Sequence, residues 1–399
     1  MPLSFMSDLA KSIPDTYFGV EQCQAIDRWL ESNPEATIEP QILLRTWLFR
    51  MKDFTASDID FGAPGCSKFI WNRIYGVKKP IKEFGEYDYV ETTAIILAWL
   101  TPSQKQKLYE SKSIDFSLDL SENDFNARYR GSVYFDRGYL CANFRRINEK
   151  TLSIEQLGIP KMVADRMNLR YEKMGLVLIT GITGSGKSTT LDAIIDMNNR
   201  DNPAHIVIIG HPVEYVHASK QCLVRHREVG VDVLSFERGA IEALRQDPDI
   251  IVVGEMRDAN TIATVLEITD SGHKAFTTLH TSSAIDSLHR IVAEFPAEEQ
   301  ERIRNRLADV LSVIVSQKLV PTVDSKLVLA KEILSVDNSI QAAIRNKNIG
   351  EIYQMMVEGR KTGMITLEQD LLELFKRGVI TNKTAMNFAN NKKRMMQLL

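Results

Sequence analysis

The stretch Leu176–Ser188 reads L-V-L-I-T-G-I-T-G-S-G-K-S, and the fold turns on its reading. Five residues of strand character, Leu176–Thr180, run into a glycine-rich turn that ends on Lys187 and Ser188. A helical pattern follows at once, with Leu191, Ala193, Ile194 and Met197 at helix-compatible spacings. This is the complete G-x-x-x-x-G-K-[ST] loop between a strand and a helix. Gly181, Gly184 and Gly186 permit backbone angles that a side chain would block, so successive N–H groups can face phosphate oxygens. The helix N-terminus adds its partial positive charge. Lys187 reaches the β- and γ-phosphates, and the Ser188 hydroxyl is a ligand for Mg²⁺. Thr183, Ser185 and Thr189 complete the candidate nucleotide contacts. The expected ligands are ATP and Mg²⁺; the bland alternative is an accidental glycine turn.

Downstream the pattern repeats. Four apolar, β-branched segments alternate with helices: Leu176–Thr180, Ile206–Ile209, Ile250–Val253 and Ala275–Leu279. Such runs belong to a mostly parallel sheet covered on both faces, with ligands beyond the carboxyl ends of its strands. The first leads into the phosphate loop, the second into G-H-P-V-E-Y, the third into G-E-M-R-D and the fourth into H-T-S-S. Polar groups thus recur at one sheet edge. Glu255 ends a strand that points it at phosphate, where it can hold Mg²⁺ or polarise water. Glu214 is the better candidate for the base that positions the attacking water, and His280 can hydrogen-bond the γ-phosphate. Glu214, Glu255, His280 and Lys187 are the candidate catalytic set; Ser188 and Glu255 are the candidate metal ligands. His273, after Gly272, precedes the fourth strand and can face a neighbouring subunit. Zinc at His211, His217 and Cys222 would match no standard ligand spacing.

The 399 residues carry 49 basic and 52 acidic side chains, a net charge of −3. That gives no global attraction to nucleic acid or to an anionic membrane. No apolar run reaches bilayer-spanning length and the N-terminus lacks signal-peptide character, so a cytoplasmic chain is expected. Its four cysteines are far apart and form no C-x-x-C pair.

Residues 1–45 are helical in tone, with amphipathic candidates at Gln24–Leu30 and, continuing past them, Pro40–Met51. From Phe54 to Ile147 short alternating runs suggest a small α+β domain. Its strands are expected at Ser57–Phe61, Phe69–Tyr75, Ile114–Leu120, Asn126–Phe135 and Tyr139–Ile147, its helices at Thr92–Leu100 and Ser103–Ser111. Residues 148–175 read as a connection, with helices at Ile154–Leu157 and Pro160–Met174. After Ser282 the chain reads as helix over Ala284–Ala293 and Ala297–Lys318, then a short strand pair around Leu319–Leu334, then closing helices. The expected division is 1–45 extension, 46–157 α+β domain, 158–174 hinge, 175–335 nucleotide-binding core and 336–399 helical subdomain.

G-I-T-G-S-G-K-S-T, P-V-E-Y-V-H, R-Q-D-P-D-I-I-V-V-G-E-M-R-D and S-G-H-K-A-F-T-T-L-H-T resemble the Walker A, Asp-box, Walker B and His-box motifs of secretion-superfamily ATPases. A-I-R-N at Ala343–Asn346 and G-M-I-T-L-E-Q-D at Gly363–Asp370 are similar to the type IV pilus retraction (PilT) branch. The resemblance implies an α/β fold: an N-terminal PAS-like α+β domain, then a RecA-like P-loop domain with a mostly parallel sheet and a helical C-terminal part. It implies a homohexamer that hydrolyses ATP and drives an inner-membrane platform protein, peripheral to the membrane through that partner. It also promotes Arg130, Arg145 and Arg227 to candidate phosphate contacts.

Three departures stand out. Gly210-His211 replaces the usual Glu-Asp before the proline. Gly138 stands where the branch usually has arginine. Residues 1–45 have no counterpart in the short members. A motor of the DotB or TraJ kind for secretion or conjugation therefore stays open, as does a weakly hydrolysing subunit that binds ATP beside a paralogous ATPase. A DNA translocase is disfavoured by the near-neutral charge.

Overall fold

The structure is a computed structural model; it describes residues 3–14, 16–74, 76–122, 125–147, 151–324 and 326–399. The chain divides into two compact units, Met1–Glu149 and Lys150–Leu399. The strand expected to end at Tyr75 and the connection expected to start at 148 each touch residues outside the described set.

In the first unit the strands are β1 (Ala56–Gly62), β2 (Trp71–Ile74), β3 (Val77–Pro80), β4 (Ser113–Glu122), β5 (Phe125–Asp136) and β6 (Tyr139–Arg146). Among the described residues they form one antiparallel sheet in the order β3-β2-β1-β6-β5-β4. Helices Val20–Ser32, Ile38–Arg50 and Tyr89–Leu97 share its core. Ile26, Leu44, Trp47, Leu48 and Ile95 are buried in one cluster with Ile59, Phe61, Tyr129 and Phe144. The leading residues are built into this core. The Leu3 N–H donates to Glu91 at 2.9 Å, and the Tyr129 hydroxyl donates to the Leu48 carbonyl at 2.8 Å.

The Gly138 departure has a local cause. Arg137 and Gly138 form the two-residue turn between β5 and β6, both with positive φ, 49° and 87°. Such a turn favours glycine. A Cβ at Gly138 would also sit 2.4 Å from a ring carbon of Phe18, a residue of the leading segment.

The second unit contains β7 (Gly175–Thr180), β8 (His205–Gly210), β9 (Leu223–Glu228), β10 (Ile250–Val253), β11 (Lys274–Leu279), β12 (Leu311–Pro321) and β13 (Leu327–Ser335). Their order is β13-β12-β7-β11-β10-β8-β9, parallel throughout except for the β12–β13 hairpin. Alternation sends Leu176, Leu178, Ile251 and Val253 into one core with helices Ala259–Asp270, Ala284–Ala293 and Gln300–Val310. It sends Val177, Ile179, Ile250 and Val252 into the other, against Leu191, Ile194 and Ile195 of helix Lys187–Asp201. Ala343 and Ile344 of A-I-R-N are buried in the first of these cores. The closing helices Leu367–Lys376, Asn382–Phe388 and Lys392–Leu398 pack Leu371, Ala385 and Met395 against Val320 and Ala330 of the hairpin.

The four expected parallel strands are present. The helix expected over Ala297–Lys318 is corrected: it covers Gln300–Val310 and β12 takes over at Leu311. Leu311–Val315 is fully buried beside β7, so sheet pairing decides its conformation. Ile154–Leu157 is a turn, and the Pro160–Met174 helix is limited to Lys161–Met167.

Candidate nucleotide site

The loop 181–186 is shaped by its glycines. Gly181, Gly184 and Gly186 have φ of 153°, 78° and 86°. A Cβ at Gly181 would lie 2.3 Å from Ser185 Oγ and 2.6 Å from the Gln317 carbonyl oxygen. Gly184 is open, with nothing within 4 Å of a built Cβ, so that side of the loop admits a ligand. Gln317, on β12, donates from Nε2 to the Ser185 carbonyl at 2.8 Å and braces the loop from the neighbouring strand.

Helix Lys187–Asp201 starts at the end of this loop, and its first N–H groups have no carbonyl one turn back. Lys187 Nζ donates to the carbonyls of Gly181 at 2.9 Å and Ile182 at 3.1 Å. Burial lowers the pKa of that ammonium, while Glu255 and Glu214 oppose the shift. Both carboxylates are therefore within electrostatic reach of the lysine.

Glu255 lies just past β10, where Gly254 N–H bonds the Ile209 carbonyl at 2.8 Å and Thr278 Oγ1 donates to the Gly254 carbonyl at 2.7 Å. Neighbouring strands thus fix the turn that carries it. Its Oε2 is 2.9 Å from Arg257 Nη2 and 3.8 Å from His280 Nε2. Burial first, then Lys187, Arg257 and Arg290, pull the His280 pKa down, against the pull of Glu255. The imidazole is thereby kept in the neutral form, able both to donate and to accept.

Glu214 is half-buried on the segment after β8, the segment that also carries His217, whose ring stacks on His226. His217 Nε2 lies 3.1 Å from Asp192 Oδ1, so this segment is tied to the phosphate-loop helix. Burial raises the Asp192 pKa, with His217 opposing it. The Gly210 position is crowded: a Cβ there would meet Val213 at 3.1 Å. Cys222 donates its thiol to the Asn202 carbonyl at 3.0 Å, and burial pushes its pKa up to about 11.

The structure brings Lys187, Glu214, Glu255 and His280 to one sheet edge, with Thr183, Ser185, Ser188 and Thr189 on or beside the loop. It does not bring His273 there. That residue precedes β11 at the opposite end, where its Nδ1 is 3.0 Å from Ser271 Oγ. Arg227 lies on the edge strand β9 and pairs with Glu242 at 2.8 Å. Arg130 and Arg145 are register neighbours in the first unit, paired with Asp115 at 3.4 Å and Asp58 at 2.8 Å. The supporting roles of Arg257, Arg290 and Gln317 were missed in the sequence. Arg257 stands inside G-E-M-R-D and was legible; Gln317 carries no local motif.

The residues present fit a nucleoside triphosphate with a divalent cation. An open, positive-φ loop, a lysine and a helix start face the phosphate side, with Ser188 and Glu255 offering hard oxygens for the cation.

Residues 131–397 match the family described as type II/IV secretion system protein. The chain is 38% identical over 298 residues to the type IV pilus retraction ATPase PilT of Pseudomonas aeruginosa, covering 75% of this chain and 85% of that one. It is 35% identical to a twitching motility protein of Neisseria gonorrhoeae over 349 residues, 87% of this chain and 91% of that one. A crystal structure of the pilus retraction motor PilT with bound ADP superposes with a TM-score of 0.79 at 36% identity, covering 88% and 98% of the two chains. The Legionella pneumophila ATPase DotB gives 0.73 at 26% identity, covering 87% and 95%. The chain belongs to the type II/IV secretion system protein family, in its pilus retraction ATPase branch.

Proposed function

We propose that the chain is an ATP-hydrolysing motor that powers retraction of a type IV pilus. It would act as a homohexamer in the cytoplasm, docked at the inner membrane through a platform protein. The observation that carries this is the convergence of two carboxylates and a histidine on Lys187: Glu214 and Glu255 bias its ammonium, and it in turn biases His280. The 38% identity to a pilus retraction ATPase supports the direction of the motor.

In this reading Lys187, the loop N–H groups and the helix start hold the phosphates. Mg²⁺, held by Ser188 and Glu255, would neutralise phosphate charge. Glu214 orients and deprotonates the attacking water, and neutral His280 donates to a γ-phosphate oxygen. Arg130, Arg145, Arg227 and His273 are left for contacts across the ring.

The test is phosphate release by purified chain with MgATP, wild type against Glu214→Ala. Release that drops at least 100-fold in the variant supports the motor. Equal rates favour a second reading, a subunit that binds ATP and barely hydrolyses it beside a paralogous ATPase. The observation behind that reading is Gly210-His211, which removes two carboxylates from this edge.

A further inference from the structure

Glu332 lies on β13, 4% exposed, away from the loop and absent from the motifs. Its Oε1 accepts the N–H of Ala284 at 2.7 Å. Ala284 is the first residue of helix Ala284–Ala293, four residues after His280. The backbone N–H of Leu367, the first residue of helix Leu367–Lys376, also favours the ionised form of this carboxylate. One buried acid therefore serves the starts of two helices. One helix follows the His280 loop; the other begins the closing helical bundle.

Its position in the sheet adds a third connection. Glu332 is opposite Ser316 on β12, and Ser316 is opposite Thr180 on β7, so the three share one row and one face. Thr180 and Ser316 share a hydroxyl–hydroxyl hydrogen bond of 2.6 Å. Thr180 immediately precedes Gly181 of the phosphate loop. A second strap joins the same loop and bundle: Asn390 Nδ2 donates to the Ser282 carbonyl at 3.0 Å, while Asn390 Oδ1 accepts from Lys318 Nζ at 2.6 Å.

We propose that Glu332 is a positioning residue for turnover, the carboxylate that fixes the helix behind the His280 loop to the closing bundle. The height of His280 at the nucleotide edge and the seat of the bundle are then set by one group. A change in the loop on hydrolysis passes to the bundle through it. This rests on the reading of His280 as part of the reaction site.

The charged groups around Glu332 come from three elements: Asp286 on helix Ala284–Ala293, Glu368 on helix Leu367–Lys376, and Lys318 on β12. Burial is the largest influence and, with the two acids, brings its pKa to about 7 in spite of the two N–H donors. The ionised form holds both helix starts more strongly than the neutral form. Turnover therefore rises as pH passes through about 7.

The test uses the full chain with MgATP and compares wild type, Glu332→Gln, His280→Ala and the double variant. Four quantities are read: kcat, KM, affinity for a fluorescent ATP analogue, and the pH profile from 5.5 to 8.5. The expected result for Glu332→Gln is a kcat about tenfold lower, because a displaced reacting group costs rate. Analogue affinity stays within about twofold, since that substitution leaves the phosphate loop in place. The wild-type rise near pH 7 is absent from this variant, and the double variant is no slower than His280→Ala. A Glu332→Gln kcat equal to wild type overturns the proposal. So do losses that multiply in the double variant, which would leave the site reading intact. If His280→Ala itself turns over normally, the site reading falls and takes the proposal with it. Should Glu332→Gln fail to fold, the exposed Asn390→Ala decides: a severalfold drop in kcat at unchanged affinity supports the coupling, and unchanged kcat overturns it.

Discussion

Arg257 Nη2 lies 2.9 Å from Glu255 Oε2, so the carboxylate after β10 carries its own counter-charge. His280 feels both members of the pair, Glu255 raising its pKa and Arg257 lowering it. Glu255→Gln should move the His280 titration to lower pH, and Arg257→Ala should move it to higher pH. Both are readable from the imidazole ring protons by NMR. In the same Glu255→Gln protein, phosphate release should fall by about 100-fold or more, as for loss of one preorganised electrostatic group.

Lys187 now spends its hydrogen bonds on the carbonyls of Gly181 and Ile182. A triphosphate would replace those neutral acceptors with charged ones. Lys187→Ala should weaken binding of a fluorescent ATP analogue by about 10- to 100-fold, the range for a hydrogen bond between charged partners. Unchanged affinity would remove the loop from the site.

Lys274 is fully buried, its Nζ donating to the carbonyls of Arg166 at 2.7 Å and Glu172 at 2.9 Å. Lys274→Met orphans both acceptors and should cost about 2–4 kcal/mol in a denaturant titration. Burial pulls the lysine pKa down to about 8 from its ordinary 10.5. The native state therefore binds fewer protons than the unfolded chain between these values. Stability from this group is complete above about pH 10.5 and is lost as pH falls through about 8. Wild type should gain on Lys274→Met as pH rises across that window.

Gly138→Arg would put a side chain at a backbone φ of 87° with its Cβ 2.4 Å from the Phe18 ring. It should destabilise the chain by about 1–3 kcal/mol. In a Phe18→Ala background the steric part disappears, so the penalty should shrink; thermal melts of the four proteins measure this.

The phosphate loop was legible because local chemistry dictates it: no other residues tolerate the φ values of Gly184 and Gly186 as well. The parallel strands were legible because burial on both faces makes them continuously apolar. β9 was not, since L-V-R-H-R-E is the polar sequence of a sheet edge. β12 was read as helix because no glycine or proline separates Val310 from Leu311, and only pairing with β7 marks the change. Glu214, Glu255 and His280 could be named from strand exits. Gln317, Glu332 and Asn390 could not, because their partners lie tens of positions away in the chain.

The β5–β6 turn has a further consequence. Gly138 sits under an aromatic ring with no side chain of its own to reach outward, so the tip's one arm is its exposed neighbour Arg137. Beside that arm sits a stopper, the Phe18 ring, supplied by the connection between helices Met6–Ser12 and Val20–Ser32. Trimming the chain through Phe18 would then do more than shorten the protein: it would uncap the hairpin.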